Sequence, residues 1–334
     1  MVPEMQEIPF TFRAMEELEV GSKWQALFEE TWPEYRRWFL QEGEEARPSY
    51  ATSVRMLKAH MPELIPVYER LVELAGGSDL AARMLSMYSP PPYLAACSQG
   101  AWTRDGPMLV RNYDYSPTRL EGVIFSSRLI AKRVIGMSDC LWGLLDGMNE
   151  SGLAVSLTFG GRQVVGDGFG IPIVVRYLLE TCDTAAEARD TLERLPYNLA
   201  HNLTLVDGSG DVVTAYLSPD TDPMFRRFPV ATNHQGIVEW AEHAEATRTV
   251  EREERILELL GAPSVTPQGF VEAFLHPPLY SAAQANGFGT LYTAAYLIAA
   301  RSVQYRWPGF VWPQSFEEFV EGEHTEVLVS ASPA

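Results

Sequence analysis

Three consecutive prolines, Pro90-Pro91-Pro92, divide the chain into two stretches that cannot share one secondary structure. Proline fixes φ and lacks an N–H, so a run of three stops a helix and holds the backbone extended. Before the prolines, apolar residues recur at helical spacing. Trp24, Leu27 and Phe28, with Trp32 and Leu40 beyond them, mark the amphipathic face of a helix that Ser22 is placed to cap. A longer stretch over residues 50–74 is interrupted by prolines and stopped by Gly76-Gly77, and Ser78 caps a short helix that runs into the prolines. The first ninety residues read as a helical leader.

After the prolines the apolar period changes to two. Residues 93–102 and 109–115 read as paired strands around the turn Arg104-Asp105-Gly106-Pro107, and strand-like runs follow at 123–130 and 141–145. The stretch 146–152 is turn chemistry leading into a strand at 153–159. Helices are predicted at 171–180 and 185–195, a hairpin at 202–206 and 212–217, and a short strand at 228–232. Helices at 249–260 and 267–275 precede a last hairpin of 290–298 with 302–307. Strands and helices come in blocks rather than singly. That disfavours βαβ units and predicts two antiparallel sheets with helices outside them.

The 334 residues suit one large domain or two ordinary ones, and 46% hydrophobic with 21% charged residues can build a full core, which excludes disordered, coiled-coil and collagen-like chains. Acidic residues outnumber basic ones by 44 to 26, a net charge of −18 that repels phosphate backbones and anionic headgroups, so neither nucleic acid nor membrane is an expected partner. The first twenty residues lack a basic segment followed by an apolar run, and nothing reaches the ~18 apolar residues of a spanning helix, so a soluble, cytoplasmic protein is expected. Three cysteines without CxxC spacing argue against a disulfide framework and a structural zinc site. His234 and His243 lack the His-Glu-x-x-His pattern, and the glycines at 159–161 and 166–168 lack the lysine and spacing of a phosphate loop, reading instead as flexible connections. No metal and no cofactor is expected.

Cys140, Cys182, Trp24, Trp32 and Trp307 read as core, and a lone Cys97 would read the same way. Its context is different, because the predicted hairpin returns Arg111 and Asp114 towards it, so that a cation and a carboxylate converge on the thiol. A papain-like pairing of Cys97 with His234, 137 residues on, is the alternative, although such enzymes place the cysteine at a helix start and not on a strand.

The order Cys97, Arg111-Asn112-x-Asp114, Asn149-Glu150-x-Gly152-Leu153, Asn202 to Asp207, Ala231-Thr232-Asn233-His234, Thr249-x-x-Arg252 and Gly289-Thr290-Leu291-Tyr292 resembles the N-terminal-nucleophile hydrolases of the penicillin acyltransferase and bile-salt hydrolase kind. The leader matches the pro-segment of the acyl-coenzyme A:6-aminopenicillanic acid acyltransferase branch in length and position. The resemblance implies an α+β chain with a four-layer αββα fold, a pro-segment over 1–96 and a catalytic domain over 97–334. It implies self-cleavage between Ala96 and Cys97, with the pro-segment remaining bound. Cys97 then carries nucleophile and base in one residue, since a free α-amine with a pKa near 7.7–8.0 can take the thiol proton. Asp114 would orient that amine, Arg111 would favour the thiolate, and Asn233 would donate to the oxyanion. The plain alternatives are a turn-end carboxylate for Asp114 and a strand-end turn residue for Asn233. Arg252 matches an arginine near the nucleophile, yet within Glu251-Arg252-Glu253-Glu254-Arg255 a solvated helix face is equally open. Thr158 stands where bile-salt hydrolases have a second oxyanion asparagine, which puts that donor in question; a neighbouring backbone N–H could replace it. The implied reaction is acyl transfer from a small amide or thioester to water or to an amine acceptor, with acyl-CoA among the possible donors. A non-processing binder of acylated small molecules is the non-enzymatic alternative.

Overall fold

The computed structural model describes residues 5–282 and 289–331. The leader supplies β1 (Met5–Glu16), α1 (Ser22–Phe39), α2 (Tyr50–His60), α3 (Ile65–Leu74) and α4 (Asp79–Leu85). After the prolines come β2 (Ala96–Trp102), β3 (Met108–Tyr115), β4 (Val123–Ser127), β5 (Val134–Asp139), β6 (Gly143–Asn149) and β7 (Ala154–Phe159). Then follow α5 (Ile171–Thr181), α6 (Ala185–Leu192), β8 (His201–Val206), β9 (Val212–Ser218), β10 (Thr221–Arg226) and β11 (Val230–Ala231). The remainder is α7 (Ala241–Ala246), α8 (Thr249–Gly261), α9 (Pro267–Ala273), β12 (Gly289–Leu297), β13 (Ser302–Trp307), β14 (Phe310–Ser315) and β15 (Gly322–Ala331).

The strands form a nine-stranded sheet, ordered β10-β9-β8-β7-β6-β5-β4-β1-β15, and a six-stranded sheet, ordered β11-β2-β3-β12-β13-β14. The two stack face to face. Gln99 on β2 donates to Thr204 on β8 at 2.8 Å and accepts from Ser156 on β7 at 2.5 Å, a polar tie between the two sheets. Helices α5 and α6 cover the outer face of the larger sheet, and α8 and α9 cover that of the smaller. Gly100 permits the second contact: a Cβ there would lie 2.8 Å from side-chain atoms of Ile256 and Phe270, so any larger residue would lift the helices off β2. Ile256, Leu259, Phe270 and Phe274 make a second apolar core between those layers. The chain is α+β in four layers, helices, sheet, sheet, helices.

The structure corrects four sequence expectations. The leader is not all helix, because β1 lies inside the larger sheet, antiparallel to β15 and parallel to β4. Its alternating Ile8, Phe10, Phe12 and Ala14 pack on the core. Ser22 does not cap α1; the Glu17 carboxylate accepts from the Lys23 and Trp24 N–H groups at 2.9 and 2.8 Å instead. Asp146 to Asn149 belong to β6, which leaves only 150–152 as turn. The glycines at 159–161 are not slack, since a Cβ on Gly161, with φ +69°, would lie 2.2 Å from the Asn233 carbonyl oxygen. Ser78 does cap α4, accepting from Ala81 N–H.

The leader is also tied to the turn after β5. Trp24 Nε1 donates to the Leu141 carbonyl at 3.0 Å, and Trp142 Nε1 donates to that of Leu85 at 2.9 Å. Tyr35 donates to the Glu121 carboxylate and accepts from Cys140 N–H at 2.9 Å. Burial, reinforced by neighbouring Glu121, pushes the Asp139 carboxyl up to about 8. Among the described residues, no helix is long and apolar enough to cross a membrane.

Candidate active site

Strand alternation decides which groups meet. On β2, Cys97, Gln99 and Ala101 face the larger sheet, while Ser98, Gly100 and Trp102 face the outer helices. Cys97 pairs with Tyr113 on β3, and Gln99 with Arg111, so the Arg111 side chain lies on the thiol's face. Its guanidinium donates from one terminal nitrogen to Cys97 Sγ at 3.1 Å and to the Leu157 carbonyl at 3.3 Å. The other nitrogen binds Asp146 Oδ2 at 2.6 Å.

Asp114 lies three residues from Arg111, an odd number, and its carboxylate faces the opposite way. It accepts from Arg252 on α8 at 2.6 Å and from Thr290 Oγ1 on β12 at 2.7 Å. The expected convergence of cation and carboxylate is therefore half realised. Arg111 reaches the sulfur by its side chain, and Asp114 through its backbone N–H. Arg252 and Asp114 are both buried, which removes the solvated-face reading of Arg252.

Asn233 follows β11 and links the two faces. Its Oδ1 accepts from the Cys97 backbone N–H at 3.0 Å and from Arg252 at 2.8 Å, while Nδ2 donates to the Phe159 carbonyl at 3.1 Å. Two donors at one end and an acceptor at the other fix the amide's orientation. The backbone N–H of Asn233 is held by Thr249 Oγ1 at 2.6 Å. Thr158 supports the same segment: its hydroxyl donates to the Thr232 carbonyl at 2.8 Å and accepts from Asn202 Nδ2 at 3.1 Å, and it makes no hydrogen bond to Cys97. His234 is engaged elsewhere. Its Nδ1 lies within 3.2 Å of Thr232 and Thr249, and Nε2 is 3.4 Å from Glu253. No hydrogen bond joins it to Cys97.

Cys97 and Ala96 are both buried in the intact chain. Burial pushes the thiol up to about 11, against the opposing pull of Arg111; Asp114 adds to the rise, while Arg252 and the Asp114 N–H oppose it. At that value the thiol is protonated at neutral pH. A surface cleft of about 340 Å³ beside β1 and α1 is lined by Arg13, Lys23, Glu30 and Glu321, and by none of these site residues. Its charges are paired with one another, Arg13 with Glu30 and Lys23 with Glu321. Among the described residues, no cluster of His, Cys, Asp and Glu is arranged to hold a metal.

Four contributors escaped the sequence reading. Asp146 was hidden in a turn-like composition, and Tyr292, Thr290 and Thr249 stood inside recognised motifs without a chemical role. Membership of the last three in those motifs is the signal that could have found them.

The profile of the acyl-coenzyme A:6-aminopenicillanic acid acyl-transferase family matches residues 102–312, more than half of the chain. No curated protein matches it in sequence. Among solved structures, a penicillin V acylase from Agrobacterium tumefaciens is similar with a TM-score of 0.50 and 16% identity, over 68% of this chain and 90% of that one. A conjugated bile acid hydrolase from Clostridium perfringens has a TM-score of 0.42 at 13% identity, over 70% of this chain and 96% of that one. An N-acylethanolamine-hydrolyzing acid amidase ortholog from Caenorhabditis elegans has a TM-score of 0.42 at 16% identity, over 60% and 92%. At 16% identity the likeness to the penicillin V acylase is one of fold.

Proposed function

The chain belongs to the acyl-coenzyme A:6-aminopenicillanic acid acyl-transferase family of N-terminal-nucleophile amidohydrolases and acyltransferases, and from that premise we propose that Cys97 is its self-released nucleophile. In the precursor, Cys97 Sγ attacks the Ala96 carbonyl carbon, the peptide C–N bond breaks as the nitrogen takes a proton, and a thioester replaces it. Water then hydrolyses the thioester, freeing the Ala96 carboxylate, the thiol and an α-amine on Cys97. The observation that carries this reading is the hydrogen bond from Cys97 N–H to Asn233 Oδ1, which gives a future α-amine a buried acceptor in place.

In turnover the amine takes the thiol proton, the thiolate attacks the substrate carbonyl, and the acyl-enzyme passes its acyl group to water or to an amine acceptor. Arg111, at 3.1 Å from the sulfur, supports the thiolate. The second Nδ2 proton of Asn233, not used by Phe159, is the donor for the oxyanion, and Arg252, itself paired with Asp114, holds Asn233 from behind. The substrate is a small N-acyl amide or an acyl thioester such as acyl-CoA. A cytoplasmic setting fits three buried free cysteines.

Incubating the enzyme with a panel of N-acyl amino acids, acyl amines and lactams, then quenching and weighing it intact, tests the reading. An acyl adduct on the chain that begins at Cys97, absent from Cys97→Ala, is expected. Turnover by Cys97→Ala at the wild-type rate would refute it, and binding without turnover or adduct would point to the non-enzymatic alternative.

A further inference from the structure

We propose that Asp146 is a positioning residue for the nucleophile: it clamps Arg111 from behind so that one guanidinium nitrogen points at Cys97 Sγ and the thiol feels a paired, not a bare, cation. The inference rests on the reading of Cys97 as nucleophile. Asp146 lies on β6 in the larger sheet and Arg111 on β3 in the smaller, so the pair bridges the sheet interface. Both side chains are fully buried and 2.6 Å apart. The carboxylate also accepts from Tyr292 at 2.5 Å on Oδ2 and from Tyr296 on Oδ1, so three donors fix its plane. Tyr113 and Tyr292 present their rings to the guanidinium carbon at 4.8 and 5.7 Å, which closes the remaining directions.

A buried ion pair needs a reason beyond stability, because an apolar pair of the same volume would serve the core as well or better. The sulfur supplies one. An unpaired guanidinium 3.1 Å from the sulfur would lower the thiol pKa and would be free to turn its N–H away from the sulfur. Asp146 draws off part of that charge and keeps the direction of the N–H. The charged and titratable groups around Cys97 are Arg111 on its own face, the Asp114–Arg252 pair on the opposite face and, after the proposed cleavage, its own α-amine, with the Tyr93 and Tyr113 phenols nearby; Asp146, Tyr292 and Tyr296 stand beyond Arg111.

The test is the pH dependence of iodoacetamide alkylation at Cys97 in the purified enzyme, located by peptide mass so that Cys140 and Cys182 are separated from it. Asp146→Asn keeps the volume and removes the charge, and its alkylation midpoint should fall by about one pH unit while kcat falls and KM holds. Tyr296→Phe removes a donor from the carboxylate, which then pulls harder on Arg111, so that midpoint should move the other way. Should Asp146→Asn fail to fold, the Tyr296→Phe shift decides alone. Midpoints that stay at the wild-type value in the folded variants would overturn the proposal and leave Asp146 a structural residue. Because alkylation is read without turnover, that result is distinct from failure of the Cys97 assignment, which active Cys97→Ala would show.

Discussion

Replacing Arg252 by alanine isolates the most deeply buried ion pair on the α8 side of the site. The guanidinium donates to Asp114 at 2.6 Å and to Asn233 at 2.8 Å, with side-chain exposures of 2% and 1% for the charged pair. Removing one member leaves Asp114 buried with Thr290 as its one side-chain donor among the described residues, the situation that costs about 3 to 5 kcal/mol. Arg255 on the same helix is an internal control. It pairs with Glu258 at 3.1 Å, but the two are 44% and 66% exposed, and such pairs contribute about 0 to 1 kcal/mol. Urea unfolding of both variants in a Cys97→Ala background, which keeps one intact species, should show the Arg252 midpoint falling several times further than that of Arg255 at equal m-value. Arg252→Ala should also slow self-cleavage in the otherwise wild-type chain, because Asn233 Oδ1 loses its second donor. Equal and small losses at Arg252 and Arg255 would refute the reasoning.

His234→Gln should keep most activity, since its ring bonds to Thr232 and Thr249 and lies against Glu253; a loss of several orders of magnitude in kcat would restore the papain-like pairing. Asp139, raised to about 8 by burial and Glu121, favours the folded state while protonated, a contribution fully present below the usual carboxylate pKa and lost as pH rises through about 8. Tm should therefore fall as pH rises from about 4 to about 8, and Asp139→Asn should flatten that slope; an unchanged slope contradicts the assignment. Gly161→Ala should slow self-cleavage and cost more stability than Gly76→Ala, because both glycines have positive φ but only Gly161 would press a Cβ on Asn233. Equal costs with normal cleavage would count against a tight approach there.

Much of the site was legible because a hairpin makes near neighbours of residues distant in sequence. The turn at 104–107 sufficed to bring Arg111 to Cys97. The error at Asp114 was also avoidable, since an odd separation from Arg111 puts the two on opposite faces of β3. Arg252 was not decidable, because both faces of α8 carry charge and only the docking of α8 on β2 selects the buried one. Asp146 was masked by its neighbours: Gly147, Asn149 and Gly152 read as a turn, and the strand was completed by pairing with β5 and β7, which no local pattern reveals. Strand β1 carried a period-two signal in Ile8, Phe10, Phe12 and Ala14 that the helical pattern after it obscured. If the Ala96–Cys97 bond is cleaved as proposed, residues 1–96 would have a physical means of staying bound, because β1 is hydrogen-bonded between β4 and β15.

The intact mass of freshly purified wild-type protein beside Cys97→Ala tests the central claim most directly. Wild type should resolve into residues 1–96 and 97–334, which co-elute on gel filtration under native conditions, and Cys97→Ala should remain a single chain. A wild-type protein that turns over an acyl amide while its Ala96–Cys97 bond stays intact would contradict the account, because its base would then have to be a group other than the α-amine of Cys97.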